Sequence, residues 1–252
     1  MVIHFSVQRV RLFLRQSFYL AKTTLSQRYE KSYLGVFWFL LEPLLYFLIF
    51  LTIKKSLNIQ IENYPIYILV GILVYNFFSH MTTQSLQCIS NNKEIIKHFK
   101  VSSETLVFSV ALQVLFFHFF ELIILVGFMV YFGLPLQGLI GYILILILFV
   151  PFCLGVSFFI SAITAYIADF ISLWRLFLLS LLFVLPIFYA IPLPISSFNP
   201  LYYFVTFFRE TVLNQLFPSF WTIGLLFCMS VASLALGLLV FRSLKKKFAE
   251  LA

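Results

Sequence analysis

Charged residues are scarce in this chain, and acidic ones are the scarcest. Only 10% of the 252 residues are charged, and Asp169 is the sole aspartate. The chain therefore lacks the pair of aspartates with which some enzymes, such as sugar-nucleotide transferases, hold a metal ion. The sequence also has no GxxxxGK[ST] phosphate loop, no HExxH and no GxSxG, the motifs of phosphate-loop ATPases, zinc proteases and serine hydrolases. We expect no catalytic residues, no metal site and no cofactor bound by this chain.

Cysteine is also rare, with three residues in the chain. Cys88, Cys153 and Cys228 form no CxxC pair, and each lies in or beside an apolar stretch. This placement is typical of small buried hydrophobic residues and does not indicate metal or redox chemistry.

Hydrophobic residues are abundant: they make up 62% of the chain, with a mean hydropathy of +1.04. A soluble domain is about half apolar and about a quarter charged. Lipid accepts apolar side chains on the outside of a helix bundle. The composition therefore predicts an all-α polytopic membrane protein, with a single transmembrane domain over residues 1–252.

Six apolar stretches are long enough to cross a bilayer, which takes about 20 residues of helix. They are 36–53, 66–88, 104–132, 138–166, 171–190 and 220–241. The first residues lack the apolar core of a cleavable signal peptide, so we expect the first span to be a retained anchor. A proline-rich external segment, 191–219, separates the last two spans, and 242–252 forms a tail.

The basic residues divide unequally between the two sides of this predicted topology. Fourteen of the seventeen Lys and Arg residues fall on the side of both termini, and only Lys54, Lys55 and Arg209 fall on the other. The positive-inside rule then places both termini in the cytoplasm. The same distribution explains the net charge of +8 through topology and lipid headgroups, so nucleic acid is not an expected partner.

The segment before the first span, within residues 1–32, is too charged to cross a membrane. As a helix it has a broad apolar face beside exposed cations, which suits a helix lying in the membrane interface. The apolar face comprises Val10, Phe13, Leu14, Ser17, Phe18, Ala21 and Leu25, and the cations beside it are Arg11, Arg15 and Lys22.

A second amphipathic stretch lies between the second and third spans. Asn91 is the predicted N-cap, and Glu94 stands three residues later, as in a capping box. The helix carries an apolar face of Ile95, Ile96 and Phe99 and a basic face of Lys93, Lys97 and Lys100. Composition alone leaves two roles open, namely lipid binding and docking into a groove of a cytoplasmic partner.

Ionisable residues within predicted spans are the remaining functional hints, because charge is costly to bury in lipid. Glu42 lies in the first span, and His118 and Glu121 share a face of the third. A proton relay and a polar contact between helices are both compatible with the second pair.

Several segments, in order along the chain, together resemble one family. Residues 28–44, RYEKSYLGVFWFLLEPL, resemble the first-span pattern S-x-L-G-x-x-W-x-x-L-x-P of ABC-transporter type 2 permeases that export polysaccharides. Residues 75–78, 185–189 and 199–201 with Arg209 resemble later motifs of these permeases, and 244–251 resembles the tail of O-antigen exporters. One departure is Ala168-Asp169, where relatives carry Arg-Asp.

The resemblance implies a half-transporter: two copies of the chain pair with two separate ATP-binding cassette subunits. Together they would export a lipid-linked glycan, usually on an undecaprenyl-type carrier, across the bacterial inner membrane. ATP and Mg²⁺ would be held by the partner ATPase. The resemblance favours O-antigen as the glycan, although it does not cleanly separate O-antigen from capsule or teichoic acid.

The resemblance also implies roles for particular residues. Coupling to the ATPase would fall to Asn91, Lys93, Glu94, Ile95, Ile96, Lys97, Phe99 and Lys100. The cytoplasmic gate for the lipid and its pyrophosphate would use Arg11, Arg15, Lys22, Arg28 and Tyr29. The glycan path would be lined by Tyr33, Trp38, Glu42, Tyr46, Tyr75, Phe78, Trp174, Phe188 and Tyr189. An external gate, dipping back into the membrane, would include Asn199, Pro200 and Arg209.

Two other function classes remain alternatives. One is a proton-coupled secondary transporter that uses His118 and Glu121, although the chain shows no internal repeat of the kind common in that class. The other is a membrane enzyme that processes glycans, for which no carboxylate cluster is present.

Overall fold

The computed structural model describes residues 2–29, 41, 43–49, 52, 61–99, 101–189 and 194–248. Within these ranges the regular structure is helical and no strand occurs, which confirms the all-α class. The labelled α-helices are α1 (Val2–Tyr29), α2 (Tyr64–Leu86), α3 (Lys93–Phe99), α4 (Ser103–Tyr131), α5 (Gly138–Thr164), α6 (Phe170–Val184), α7 (Pro200–Leu213) and α8 (Phe220–Phe248). Residues 43–49 are also helical.

Four of these helices, α2, α4, α5 and α8, are long and apolar enough to cross a membrane. They cover the second, third, fourth and sixth predicted spans. Half of the first predicted span, 36–53, lies outside the described residues. The six-span topology with both termini in the cytoplasm therefore stays a prediction, whereas a multi-pass membrane protein is established.

The fifth predicted span, 171–190, is wrong as a single helix. Helix α6 ends at Val184, because Pro186 follows two residues later and holds Leu185 in an extended conformation (φ −72°, ψ 138°). At 15 residues, α6 is about 22 Å long, which is shorter than the hydrocarbon core of a typical bilayer. The chain then continues as the 185–189 segment, which has no helical geometry.

Helix α2 lies at the centre of the described structure and packs against α4, α5, α6 and α7. Most of its residues are buried, including polar Asn76. The rings of Phe77 and Phe149 lie 5.4 Å apart, and Phe149 lies 4.9 Å from Phe204 on α7. This aromatic stack joins α2, α5 and α7 into one core.

Helices α5 and α8 form the most extensive helix pair. A β-carbon built on Gly155 or on Gly237 would overlap the backbone of the opposite helix. Serine hydroxyls add hydrogen bonds across the pair: Ser230 Oγ donates to the Leu148 carbonyl at 2.6 Å, and Ser233 Oγ donates to that of Phe152 at 2.9 Å. Small residues and serine hydroxyls are the usual means of close helix packing in lipid.

Helix α1 packs on α4 and divides the predicted apolar face in two. Ser17 and Ala21 are buried, and the Phe13 ring lies 5.3 Å from Phe108. By contrast Leu14 and Phe18 remain exposed. The exposed strip is available to lipid, as the interfacial prediction requires.

The last helix extends beyond the predicted end of the sixth span at residue 241. Because no proline or glycine follows Gly237, α8 continues to Phe248. Lys245 Nζ there contacts both carboxylate oxygens of Glu104, at 2.8 and 2.6 Å. The first part of the predicted tail is therefore helical and tied to the start of α4.

The glycine contact between α5 and α8 predicts a sharp difference between two glycines of the same helix. Gly237→Leu should force the helices apart and cost about 3 kcal/mol, lowering the melting temperature in detergent by roughly 5 °C or more. Gly224→Leu is the matched control, since no atom of the described chain lies within 4 Å of a β-carbon there. Equal melting temperatures for both variants would contradict this packing.

Candidate functional site

The 185–189 segment is irregular, and two tyrosines of α2 satisfy part of its backbone. Tyr64 Oη donates to the carbonyl of Phe188 at 2.8 Å. One turn later, Tyr67 Oη donates to that of Tyr189 at 2.9 Å. A carbonyl left without a donor in a bilayer costs several kcal/mol, so these hydroxyls make a non-helical backbone tolerable here.

Arg209 of α7 supplies the other donors. Its Nη1 donates to the Pro186 carbonyl at 2.5 Å and its Nη2 to that of Ile187 at 2.8 Å. Nε donates to the backbone carbonyl of Tyr67 at 3.0 Å, and the guanidinium carbon lies 3.6 Å from the centre of the Tyr67 ring. A planar guanidinium can make these directed bonds together, whereas an ammonium cannot reproduce the geometry.

The cation is buried without a carboxylate partner. Arg209 is only 5% exposed, and none of the described Asp or Glu residues forms a salt bridge with it. Carbonyl dipoles and the Tyr67 ring compensate its charge instead. The absence of a side chain at Gly71 makes room for the guanidinium, because a β-carbon at this position would overlap Nη2. The predicted external-gate residue Arg209 thus joins α2, α7 and the 185–189 segment.

The other predicted external-gate residues lie at the opposite end of α7. Asn199 Oδ1 accepts from the Leu201 amide at 3.0 Å, and Pro200 is the first residue of the helix. Both are favoured at a helix start. They position α7 and are not brought next to Arg209, which lies more than two helical turns away.

Three of the predicted glycan-path aromatics meet between α2 and α6. Tyr75 Oη donates to the Leu178 carbonyl at 2.8 Å, and the Phe78 ring lies 6.4 Å from that of Trp174. The indole Nε1 of Trp174 and the amide nitrogen of Asn76 are buried without a hydrogen-bond partner in the described chain. Tyr75 therefore joins α2 to α6, and two polar groups beside it remain available.

The remaining path residues are dispersed or undescribed. Phe188 and Tyr189 contact each other in the 185–189 segment, with ring centres 5.3 Å apart. Tyr46 is half-buried against the core. Tyr33, Trp38 and Glu42 lie outside the described residues.

Helix α3, the predicted coupling helix, begins later than its sequence indicates. A 3₁₀ turn, Ser90–Asn92, precedes it, and the Asn91 amide donates to the Gln87 carbonyl at 3.0 Å. Glu94 pairs with His98 (Nε2–Oε2, 3.0 Å). The predicted capping box of Asn91 and Glu94 is therefore wrong, because the amide it needs is already bonded one turn earlier.

The predicted apolar face of α3 is only partly available to a partner. Ile96 packs against the core of its own chain, whereas Lys93 and Ile95 are half-exposed. The side chains of Lys97 and Phe99, and the whole of Lys100, lie outside the described part.

The predicted cytoplasmic-gate cations of α1, Arg11, Arg15 and Lys22, are exposed. The side chains of Arg28 and Tyr29 lie outside the described part. Close to α1, a cavity of about 280 Å³ contains Arg175 together with amide and hydroxyl side chains. Its polar lining comprises Thr24, Thr83, Gln84, Gln87, Asn91, Asn92, Ser109, Gln113 and Arg175.

His118 and Glu121 form the predicted contact, which a third residue extends. His118 Nδ1 lies 2.7 Å from Glu121 Oε2, and the Tyr142 hydroxyl of α5 lies 3.0 Å from His118 Nε2. All three side chains are buried. The network links α4 to α5, and no other titratable side chain of the described residues forms a hydrogen bond with it.

Sequence reasoning missed several of these residues. No local pattern singles out Tyr64 and Tyr67, since their acceptors lie more than a hundred residues away. A signal for the Arg175 cavity was present: Thr83 and Gln87 are polar residues one helical turn apart near the end of an apolar span. The contact of Lys245 with Glu104 had no local signal.

Comparisons with known proteins find the same kind of transporter along most of the chain. The family model described as ABC-2 type transporter matches residues 15–213. An O-antigen export system permease protein, RfbA, of Klebsiella pneumoniae is 30% identical over 236 residues, covering 90% of this chain and 91% of that protein. The protein of the same name from Myxococcus xanthus is 23% identical over 246 residues, covering 92% and 93%.

The bonds of Arg209 predict that charge alone cannot replace it. Arg209→Lys leaves at least one of the three carbonyls without a donor, so we expect a loss of about 2 kcal/mol or more in unfolding free energy. Thermal unfolding of the detergent-purified chain measures this. Arg242→Lys, at an exposed site on α8, should unfold like the wild type. An Arg209→Lys variant as stable as the wild type would show that the directed bonds are unnecessary.

Proposed function

We propose a function for this chain from one premise: it belongs to the ABC-2 type transporter family. The chain is the permease subunit of an ATP-driven exporter that moves a cell-surface polysaccharide, of the O-antigen type, out of the cell. The match with permeases named for O-antigen export, over nine-tenths of both chains, carries this proposal. The chain is a transport subunit and not an enzyme.

The proposed substrate is a polysaccharide linked to a lipid carrier of the undecaprenyl type. Exposed Arg11, Arg15 and Lys22 on α1 supply cations at the membrane surface for its pyrophosphate. The apolar strip of Leu14 and Phe18 beside them faces lipid. The Arg175 cavity, which Leu20 and Thr24 of α1 also line, adds amide and hydroxyl groups and one cation beside this helix.

The proposed assembly contains two copies of this chain and two ATP-binding cassette subunits. The chain contains no phosphate-loop motif, so ATP and Mg²⁺ belong to the partner. Helix α3 transmits the partner's movement, since only residues 100–102 separate it from α4. The contact between Glu104 and Lys245 then extends the connection to α8.

The proposed glycan path follows the aromatics between α2 and α6, and the 185–189 segment with α7 forms its external gate. Aromatic faces suit the apolar faces of sugar rings. The site of action is the bacterial inner membrane, and the distribution of basic residues supports a cytoplasmic position for both termini.

A proton-coupled transporter is not favoured. The relatives are permeases of an ATP-driven family. The buried network of His118, Glu121 and Tyr142 contains a single carboxylate and serves as a contact between α4 and α5.

Deletion of the gene tests the proposed function. We expect surface polysaccharide to disappear and lipid-linked glycan to accumulate inside the cell, with both restored by the wild-type gene. Surface staining and extraction of the lipid-linked fraction measure these effects. Unchanged surface polysaccharide in the deletion strain would contradict the proposal.

The proposed docking of α3 predicts a loss of complex formation without a loss of folding. The double variant Lys93→Glu, Ile95→Asp reverses one half-exposed charge and removes one half-exposed apolar contact. We expect at least a fivefold lower recovery of the ATPase in co-purification, at an unchanged melting temperature. Arg242→Glu, an exposed charge reversal on α8, is the matched control. Full recovery of the ATPase with the double variant would exclude α3 as the docking element.

A further inference from the structure

A second cavity, of about 400 Å³, lies between the start of α2 and one face of α7. We call it the Glu210 cavity. Its polar lining comprises Glu62, Asn63, Tyr67, Tyr202, Thr206, Arg209, Glu210 and Asn214. Its size falls within the range of small-molecule sites, about 300–1,000 Å³.

Three lining residues of α7 are spaced by one helical turn and have free polar groups. Tyr202, Thr206 and Glu210 lie at i, i+4 and i+8, so they share a face of the helix. The hydroxyls of Tyr202 and Thr206 and the carboxylate of Glu210 make no hydrogen bond or ion pair with the described chain. Glu210 is half-buried. A half-buried carboxylate that lines a cavity and has no partner in the described chain is a candidate ligand-binding group.

The opposite wall has the same character. Glu62 and Asn63 directly precede α2, and the side chain of Asn63 makes no capping bond. Asn63 has a left-handed backbone (φ 48°), a conformation that is infrequent for residues other than glycine. The two walls thus place carboxylate, amide and hydroxyl groups around one space.

The walls are held in place by bonds already described. Arg209 and Tyr67 both line the cavity, and both are bonded to the 185–189 segment. A site on such a fixed frame needs little reordering to bind. Because Arg209 and Tyr67 line it, the cavity lies against the proposed external gate.

The chemistry of the lining favours a sugar ring over a metal ion. Carboxylates and amides accept from sugar hydroxyls, and the ring of Tyr202 offers an aromatic face. A cluster of three or more metal-ligating side chains is absent from the described residues. The cavity volume is also far larger than a single ion needs.

We propose that the Glu210 cavity binds one or two sugar residues of the exported glycan, through hydroxyl groups that donate to Glu210 and Glu62 and a ring face that packs on Tyr202. The site would act at the external end of the path, where the glycan leaves the permease. This inference rests on the proposed function and adds a sugar-binding site to it.

Direct binding tests the inference. The probes are oligosaccharides cut from the surface polysaccharide of the strain that carries the gene, and separately calcium chloride. The full chain, purified with its ATPase partner in nanodiscs, is titrated by calorimetry. We expect Glu210→Gln and Tyr202→Ala each to weaken oligosaccharide binding at least tenfold. Thr206→Val, which is nearly isosteric, should weaken it about threefold, so the result does not depend on variants that fail to fold.

Tyr203→Ala is the matched control, because Tyr203 is adjacent to Tyr202 but does not line the cavity. It should bind like the wild type. Absence of oligosaccharide binding, equal binding by all variants, or binding of calcium alone would each overturn the inference. Such a result leaves the proposed export function intact, because that function is judged by surface polysaccharide in the deletion strain.

Discussion

The described structure depends on one constraint, the need of four consecutive backbone carbonyls for donors. Pro186 ends the helical path of α6, and the carbonyls from Pro186 to Tyr189 then have no helical partners. Tyr64 and Tyr67 of α2 and Arg209 of α7 supply the missing donors. Because lipid supplies no hydrogen bonds, a non-helical segment within a membrane protein requires such a set. The buried cation and the break in α6 therefore explain each other.

The two ends of the helix bundle are held by different kinds of contact. Around Arg209, side-chain donors bond to backbone and hold α2, α7 and the 185–189 segment together. At the opposite end of α4 and α8, a contact between charged side chains, Glu104 with Lys245, does the corresponding work. An ion pair that is partly exposed to solvent contributes little energy, so it can open at low cost. A rigid frame around Arg209 and an adjustable end beside α3 suit a permease driven by a partner on one side.

The sequence predicted the helical class and four of the spans, because about 20 consecutive apolar residues constrain a chain strongly. The i, i+3 spacing also indicated the contact of His118 with Glu121, whereas Arg209 was singled out only by the family resemblance. Sequence reasoning failed at residues 185–189, where a proline among apolar residues was read as part of a helix. It also failed at Asn91, whose amide is bonded to Gln87. The partners of Tyr64 and Lys245 are distant in the chain, and no local pattern indicates them.

Transport by the reconstituted complex distinguishes an ATP-driven permease from a proton-coupled transporter. The chain and its ATPase are placed in vesicles with lipid-linked glycan, and transfer of the glycan across the membrane is followed with ATP or with a pH gradient. We expect transfer that requires ATP and is abolished by an inactive ATPase. Transfer driven by a pH gradient without ATP would contradict it.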